Sequence, residues 1–358
     1  MRRFSYSLLA AALFTGCGDT PAPAPAELRI TPVVETASLG EDADDPAIWI
    51  SPADPSASLI LGVNKAPAPG GAIGVFDLDG TLVQLIDGID RPNNVDLEYG
   101  FPLDRETVDI AVATERYRGR LRVFAVDPQE RRLRDVSSAD SLQVFAGEPG
   151  ERAAPMGVSL YRRPSDNAFF AIVSRKEGPS GAYLWQYRLE DDGAGRVRAV
   201  KVREFGAFSG TGEIEAVAVD DEFGHVYYAD ELAGIHKYHA DPDHPNAAEE
   251  IQFFGQDGFQ GDREGLAIYA SAGGGYIVCT DQVVGGSAYP VYSRNAESPA
   301  ALIGIVHGGA DETDGIEATS APLGPRFPSG LLVVMNSVGK NFMLYDWRDV
   351  EAALETSK

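Results

Sequence analysis

The chain has 358 residues, of which 44% are hydrophobic, and it contains 39 Gly and 23 Pro. This length supports one large domain with a substantial core, and the Gly and Pro content favours many turns over long helices. The formal net charge of -24 argues against a nucleic-acid partner, because a polyanion would be repelled.

The first residues have the pattern of an exported protein. Two arginines precede a short apolar run, and the sequence "FTGC" ends at Cys17. This arrangement predicts a secretory signal over residues 1–17. The position of Cys17 resembles a bacterial lipobox, which predicts a lipid anchor on this cysteine, although ordinary signal-peptidase cleavage is an alternative. We therefore expect a membrane-anchored lipoprotein in the periplasm or on the cell surface.

A tether and a single domain are predicted to follow. Residues 18–27 are rich in Pro and Ala and lack core-forming side chains, which is typical of a linker. The folded domain is expected to span residues 28–358. Cys279 is the only cysteine besides Cys17, so neither a disulfide in the mature domain nor a cysteine-based metal site is expected.

Strand patterns dominate the predicted domain. Runs rich in Val, Ile, Tyr and Phe are broken by Gly, Pro, Asp and Asn, and only residues 349–354 have a helical pattern. Six similar segments open apolar runs, at intervals of 52, 60, 59, 49 and 50 residues. They are "DDPAIWI" at Asp44, "VDLEYGF" at Asp96, "PMGVSLY" at Met156, "EIEAVAV" at Glu215, "REGLAIY" at Glu264 and "TDGIEAT" at Asp314. This period predicts an all-β six-bladed β-propeller with four-stranded antiparallel blades.

Polar residues end the second apolar run of each repeat. The start of one antiparallel strand and the end of the next lie at the same edge of a sheet. A circle of six hairpins therefore brings one set of side chains to one mouth of the central channel. The predicted set is Asp44, Asp96, Glu215, Glu264 and Asp314, together with Lys65, Arg116, Lys176 and Glu231.

A ring of carboxylates requires cations, and the residue types favour Ca²⁺. The chain has only five His, none of them in these segments, and carboxylates without His or Cys favour hard, oxygen-preferring ions. The interleaved basic residues suit a phosphate bridged by metal ions. This combination predicts hydrolysis of a phosphate ester by metal-activated water, without a covalent enzyme intermediate.

Other interpretations stay open at this point. Any single Asp commonly forms a turn by bonding its own backbone, and Arg263 could join Asp262 and Glu264 in a salt-bridged corner. Asp42 has no counterpart in the other repeats and is assigned to surface charge. A lactonase-like metal-dependent propeller hydrolase and a non-enzymatic calcium-binding propeller are the alternative functions. Recurrence of the acidic position in several repeats favours the metal site.

The same residues carry a resemblance to a known family. The segments "DADDPAIWI", "NNVDLEYGF", "RKEG", "EAVAVDDEFGHVYYADE", "REGLAIY" and "ETDGIE" occur in this order. In these segments the chain resembles the β-propeller phytase family, also called 3-phytases, from about residue 36 to residue 347. The resemblance implies a hydrolase that acts on phytate, an inositol hexakisphosphate, with several Ca²⁺ ions at the channel mouth. We expect the protein to be a monomer.

The resemblance also assigns roles to individual residues. The carboxylates that it implies for the catalytic calcium cluster are those of Asp44, Glu215, Glu231, Asp262, Glu264 and Asp314. The phosphate-binding positions that it implies are Lys65, Arg116 and Lys176, with Glu177 close to them and Glu231 counted among the catalytic residues. A buried structural calcium is implied at Asp45 and the carbonyls of Pro46 and Val95. Met156 stands where the family commonly has a phosphate-binding Tyr, which implies a change in affinity or substrate preference.

Overall fold

The computed structural model describes residues 29–272, 274–296 and 299–356. In these parts of the chain, 24 strands form six four-stranded antiparallel sheets. The sheets are arranged as a six-bladed β-propeller, so the predicted fold, blade number and blade size are confirmed.

Each of the first five blades uses four consecutive strands, with the innermost strand first. Blade 1 contains β2 (Ala43–Trp49), β3 (Leu59–Asn64), β4 (Ala72–Asp77) and β5 (Leu82–Asp87). Blade 2 contains β6 (Pro92–Leu103), β7 (Glu106–Glu115), β8 (Arg120–Asp127) and β9 (Arg132–Asp135). Blade 3 contains β10 (Pro155–Arg162), β11 (Phe169–Arg175), β12 (Leu184–Asp191) and β13 (Val197–Phe205).

The second half of the ring repeats this order. Blade 4 contains β14 (Val217–Asp220), β15 (His225–Asp230), β16 (Gly234–His239) and β17 (Gln252–Phe254). Blade 5 contains β18 (Leu266–Ser271), β19 (Gly274–Cys279), β20 (Ala288–Ser293) and β21 (Leu302–His307). Blade 6 contains β22 (Ile316–Thr319), β23 (Leu331–Asn336), β24 (Asn341–Asp346) and, outermost, β1 (Val34–Glu35). Short 3₁₀ helices cover Pro55–Ala57, Arg116–Arg118 and Gly150–Ala153, and the helix α1 covers Trp347–Thr356.

Strand β1 closes the ring. It comes from the N-terminal side of the domain and pairs with β24, Val34 opposite Leu344, so both ends of the domain lie in blade 6. The innermost strands form a closed circle in which β2 packs on β6, β6 on β10, β10 on β14, β14 on β18, β18 on β22 and β22 on β2. The circular arrangement of the blades leaves only short, protected sheet edges at the channel.

The core lies between neighbouring blades. The middle strands β15 and β23 are buried along their whole length, whereas β5 alternates between exposed and partly buried positions. Strands that are covered on both faces read as continuous apolar runs, which explains "HVYYAD" and "LLVVMN". Helix α1 packs against β21 of blade 5 and β24 of blade 6, and Trp347 at its start stacks on Tyr269 of β18 with a centroid separation of 3.6 Å.

The predicted signal and tether, residues 1–17 and 18–27, lie outside the described residues, as does Cys17. Cys279 is buried and free. Within the described ranges, no helix has both the length and the apolar character needed to cross a membrane.

Candidate metal and phosphate site

Bulges at the mouth of the channel direct the acidic side chains inward. The register shifts between Ala43 and Pro46 in β2, and the extra residue lies at the pair Asp44 and Asp45. A bulge lets neighbouring residues point to the same side. Asp44 lies at the mouth in contact with Lys65, while Asp45 lines the channel below it. The bulge therefore explains how two consecutive carboxylates both face the channel.

The mouth is divided into two parts by charge. We call the carboxylates of blades 4 to 6, with Asp44 of blade 1, the acidic arc; it comprises Asp44, Glu215, Glu231, Asp262, Glu264 and Asp314. We call the cations that follow the second strands of blades 1 to 3 the basic arc; it comprises Lys65, Arg116 and Lys176. All nine side chains are at least partly buried. The structure thus brings together the predicted acidic and basic residues at one mouth.

Lys65 connects the two arcs. Its Nζ atom lies 3.0 Å from Asp44 Oδ1, and the same ammonium is 3.4 Å from Glu215 Oε1 and 3.6 Å from Asp314 Oδ2. Burial lowers the pKa of Lys65, but the surrounding carboxylates outweigh this effect and raise the pKa well above its ordinary value. One ammonium therefore neutralises part of a cluster that contains at least three carboxylates.

The carboxylates of the acidic arc outnumber the cations that contact them. Burial raises the pKa of Asp44 and Glu264 well above their ordinary values, and it raises the pKa of Glu231 to about 7. Asp44 is only 1% exposed, and its Oδ2 atom has no hydrogen-bond partner among the described residues. Buried carboxylates of this kind favour a bound cation because it replaces the lost hydration.

Two groups of three carboxylates have the spacing of metal ligands. In the first group, oxygens of Glu213, Glu215 and Glu231 lie within 4.8 Å of one another, and in the second the same holds for Glu231, Asp262 and Glu264. Both groups contain only oxygen donors, which suits Ca²⁺ and does not suit metals that prefer nitrogen or sulfur. Together with the unpartnered oxygen of Asp44, this donor set fits the calcium that the sequence predicts.

Apart from Lys65, the basic arc has few internal partners. The Arg116 side chain is 10% exposed, and its one ion pair with a described residue is to Glu151, at 3.7 Å. The Nε atom of Arg116 is buried and has no hydrogen-bond partner among the described residues. Lys176 forms an ion pair with Glu213. Glu177 is exposed beside it, and its side chain forms no hydrogen bond or ion pair with the described residues.

A second acidic region lies deeper in the channel. Asp45, Pro46 and Val95 line a cavity of about 350 Å³ between the inner strands. Asp45 Oδ2 accepts a hydrogen bond from the Val95 N–H at 3.0 Å, and burial raises the pKa of Asp45 well above its ordinary value. These three residues are therefore neighbours, and their role as a structural calcium site stays a prediction.

One expectation from the sequence was wrong in detail, and one alternative is excluded. Asp96 does not lie at the mouth: its Oδ2 accepts hydrogen bonds from Ser159 Oγ and the Leu160 N–H inside the channel. The equivalent of Asp44 in blade 2 is Asn93, because the bulge in β6 lies three residues before Asp96. Arg263 does not bridge Asp262 and Glu264, since its guanidinium donates to backbone carbonyls, including that of Glu231 at 2.8 Å.

Three further polar residues reach the acidic arc. Asn93 donates to Glu215, Gln282 donates to Asp314, and Glu213 joins the first carboxylate group. Glu213 could have been found from spacing, because it precedes Glu215 by two residues as Asp262 precedes Glu264. Met156, the blade 3 residue at the bulge, is 1% exposed and offers only its backbone carbonyl, which accepts from Thr114 Oγ1 at 2.7 Å.

Close packing of the blades fixes the position of Glu215. A Cβ atom at Gly157 would lie 1.8 Å from the carbonyl oxygen of Glu215. Only glycine allows the blade 3 bulge to approach the start of blade 4 this closely. The small residue in blade 3 therefore helps to place an acidic side chain of blade 4.

Comparisons with known proteins agree with this geometry. The model of the family described as Phytase matches residues 5–357. A 3-phytase of Bacillus subtilis (strain 168) is 32% identical over 347 residues, which cover 90% of this chain and 84% of the relative. A crystal structure of BBS1N in complex with ARL6DN, soaked with lead, gives a TM-score of 0.46 at 8% identity, over 84% of this chain and 77% of that one. The last similarity is too low to support any inference.

Proposed function

The chain belongs to the phytase family, and from this premise we propose that it hydrolyses phosphate monoesters of phytate in a calcium-dependent reaction at the channel mouth. The observation that carries the proposal is the contact between the two arcs, where the Lys65 ammonium lies among carboxylates of three blades. A site with both carboxylates that can bind metal ions and basic side chains suits a polyphosphate bound as its calcium salt.

The acidic arc is assigned to calcium. Its six carboxylates, together with Glu213, supply more oxygens than one Ca²⁺ ion takes, so several ions are proposed. Bound calcium would lower the pKa of a water molecule and offset the charge on phosphoryl oxygens. Glu231 belongs to both carboxylate groups, so it is proposed to position the water as well as the ions.

The basic arc is assigned to the substrate phosphates. The planar guanidinium of Arg116 can donate two parallel hydrogen bonds to one phosphate, and Lys65 and Lys176 add mobile ammonium groups. Glu177 is exposed at the same edge and is proposed to contact the outer part of the substrate. The deeper residues Asp45, Pro46 and Val95 are proposed to hold a structural calcium.

Phosphate release from calcium phytate tests this function. The protein is expected to release orthophosphate with calcium, to lose this activity in excess chelator and to regain it when calcium is restored. A parallel assay on lactones tests the lactonase-like alternative. Hydrolysis of lactones but not phosphoesters, or calcium binding without turnover of either, would replace the proposal with one of the alternatives.

Attachment to a membrane is a separate proposal. Cys17 is proposed to carry a lipid, with residues 18–27 as the tether to the propeller. Radiolabelled palmitate should enter the wild-type protein in a bacterial host and should not enter the Cys17→Ser variant. Equal labelling of both proteins, or labelling of neither, would contradict the anchor.

A further inference from the structure

Glu213 occupies a position that recurs around the ring. In blade 4 the Glu231 N–H donates to the Glu213 carbonyl at 3.1 Å, and in blade 5 the Gln282 N–H donates to the Asp262 carbonyl at 3.0 Å. The same bond joins Lys65 to Asp42 in blade 1, at 2.7 Å. Glu213 is therefore the blade 4 counterpart of Asp262, which the sequence already places in the metal cluster.

The backbone holds Glu213 beside Glu231. Besides the bond above, the Glu213 N–H donates to Glu231 Oε2 at 2.8 Å. The two residues are thus fixed to each other in both directions, and their carboxylates share a group with Glu215. Since Glu231 also belongs to the group with Asp262 and Glu264, it lies between two neighbouring clusters of three carboxylates.

A cation already contacts this group. Lys176 of the basic arc forms its ion pair with Glu213, and the two side chains are 29% and 25% exposed. The arrangement parallels that of Lys65, whose ammonium lies among Asp44 and its neighbours. Two lysines of the basic arc therefore each neutralise a carboxylate: Lys65 pairs with Asp44, and Lys176 pairs with Glu213. The contact of Lys176 with Glu213 marks a place that attracts positive charge.

We propose that Glu213 is a positioning residue that exchanges Lys176 for calcium. Calcium held by Glu213, Glu215 and Glu231 would displace the ammonium, and Lys176 would then be free to bind a substrate phosphate. The inference rests on the proposed function. A partly exposed ion pair contributes little free energy because water screens it, so a divalent ion held by three carboxylates is expected to displace the lysine.

The exchange couples two binding events. Lys176 reaches phosphate only after it leaves Glu213, so calcium at this group strengthens phosphate binding, and phosphate strengthens calcium binding by the same factor. A Glu213→Gln variant would weaken calcium binding at this group by about 10-fold or more. It would also leave Lys176 without its carboxylate whether or not calcium is bound.

Competitive labelling of lysine amines, read by mass spectrometry of the Lys176 peptide, tests the exchange. In the wild type, saturating calcium should raise the Lys176 labelling rate several-fold over the rate in chelator. In Glu213→Gln the rate should be high in chelator and change less than about 2-fold with calcium. Glu213→Asp should keep part of the calcium response because it keeps the charge. Glu190→Gln is the matched control, since Glu190 is 29% exposed and paired with Arg198 far from the mouth.

The outcomes separate this inference from the proposed function. The exchange would be overturned if calcium did not change the Lys176 labelling rate in the wild type. It would also be overturned if calcium changed this rate in Glu213→Gln as much as in the wild type. Phosphate release is measured on the same wild-type samples. Calcium-dependent release without a labelling response leaves the proposed function standing, whereas a protein that binds no calcium overturns both.

Discussion

The two halves of the channel mouth use one backbone position for different side chains. The residue just beyond the end of the second strand is a cation in blades 1 to 3, namely Lys65, Arg116 and Lys176. The equivalent residues in blades 4 to 6 carry no positive charge; they are Glu231, Gln282 and Ser337. Because the strands that deliver them are alike, the fold supplies only the positions. The side chains alone give one half its carboxylates and the other half its cations.

Burial has opposite consequences in the two halves. In the acidic arc it raises the pKa of Asp44 and Glu264, so these carboxylates bind protons more readily until a metal ion compensates them. In the basic arc, burial leaves the Nε donor of Arg116 without a hydrogen-bond partner among the described residues. The calcium salt of a polyphosphate would supply a cation to the carboxylates and an anion to Arg116.

Glu231→Gln should have the largest effect. Gln keeps the shape but removes the charge that both carboxylate groups share, so calcium affinity and the rate of phosphate release are expected to fall about 100-fold or more. Initial rates at saturating calcium and calcium titration by calorimetry measure the two quantities. Glu190→Gln should change neither. A Glu231→Gln protein with more than half of the wild-type rate would show that the acidic arc does not act as one unit.

Arg116→Ala should weaken substrate binding and leave calcium binding unchanged. Loss of hydrogen bonds to a charged group costs about 1.5–3 kcal/mol, which corresponds to a KM that rises about 10- to 100-fold. Calcium affinity should stay at the wild-type value. Steady-state kinetics on phytate, with Arg198→Ala on an outer strand as control, separate these readouts. A fall in calcium affinity as large as the rise in KM would mean that the two arcs cannot be told apart in function.

Lys65→Met should increase the electrostatic repulsion within the acidic arc and so lower the unfolding temperature. The variant leaves Asp44, Glu215 and Asp314 without the ammonium that they share. In chelator we expect it to unfold at a temperature several degrees lower, because an uncompensated buried charge costs about 3–5 kcal/mol. Saturating calcium should remove most of the difference. Lys340→Met, at an exposed position, is the control, and a Lys65→Met deficit that calcium leaves unchanged would contradict the interpretation.

The effect of pH on the free energy of unfolding should be smaller than the effects of these substitutions, and its direction identifies the buried carboxylates. Burial raises the pKa of Glu231 and of Glu98, which lies deeper in the channel, to about 7. Both groups bind protons more tightly in the folded than in the unfolded state, so their stabilisation is complete below their ordinary pKa and is lost as the pH rises through about 7. Burial lowers the pKa of His225 to about 3, and this opposing effect ends near the ordinary His value of about 6.5.

Unfolding by denaturant in chelator should therefore show a free energy that falls between about pH 6.5 and 8. Calcium should reduce the part of this fall that comes from Glu231 and leave the part that comes from Glu98. Glu98→Gln removes the latter part and serves as the internal comparison. A free energy that rises over this pH range would contradict the burial of these carboxylates.

The repeat made most of the fold predictable. Antiparallel hairpins at a period of about fifty residues place strand starts and ends at one edge, so Lys65, Arg116 and Glu231 could be assigned to the mouth before any contact was known. The bulges could not be read from periodicity, because an extra residue leaves the apolar pattern almost unchanged. For this reason Asp96 was aligned with Asp44, although Asn93 holds that position.

Contacts between blades could not be predicted from the sequence either. The ion pairs of Lys65 with blades 4 and 6, and of Lys176 with Glu213, depend on how tightly six blades close. No local pattern encodes that distance. Glu213 was missed for a different reason. Its spacing from Glu215 was visible in the sequence, but the repeats were compared only from the position of Glu215 onward, so the residue two positions earlier was left out.

A crystal structure with calcium and phosphate bound tests the division of the mouth most directly. Anomalous scattering should place calcium about 2.3–2.6 Å from carboxylate oxygens of the acidic arc, with Glu231 shared between ions. The phosphate oxygens should lie within hydrogen-bond distance of Lys65, Arg116 and Lys176. Calcium bound only outside the mouth, or phosphate bound away from all three cations, would contradict the account.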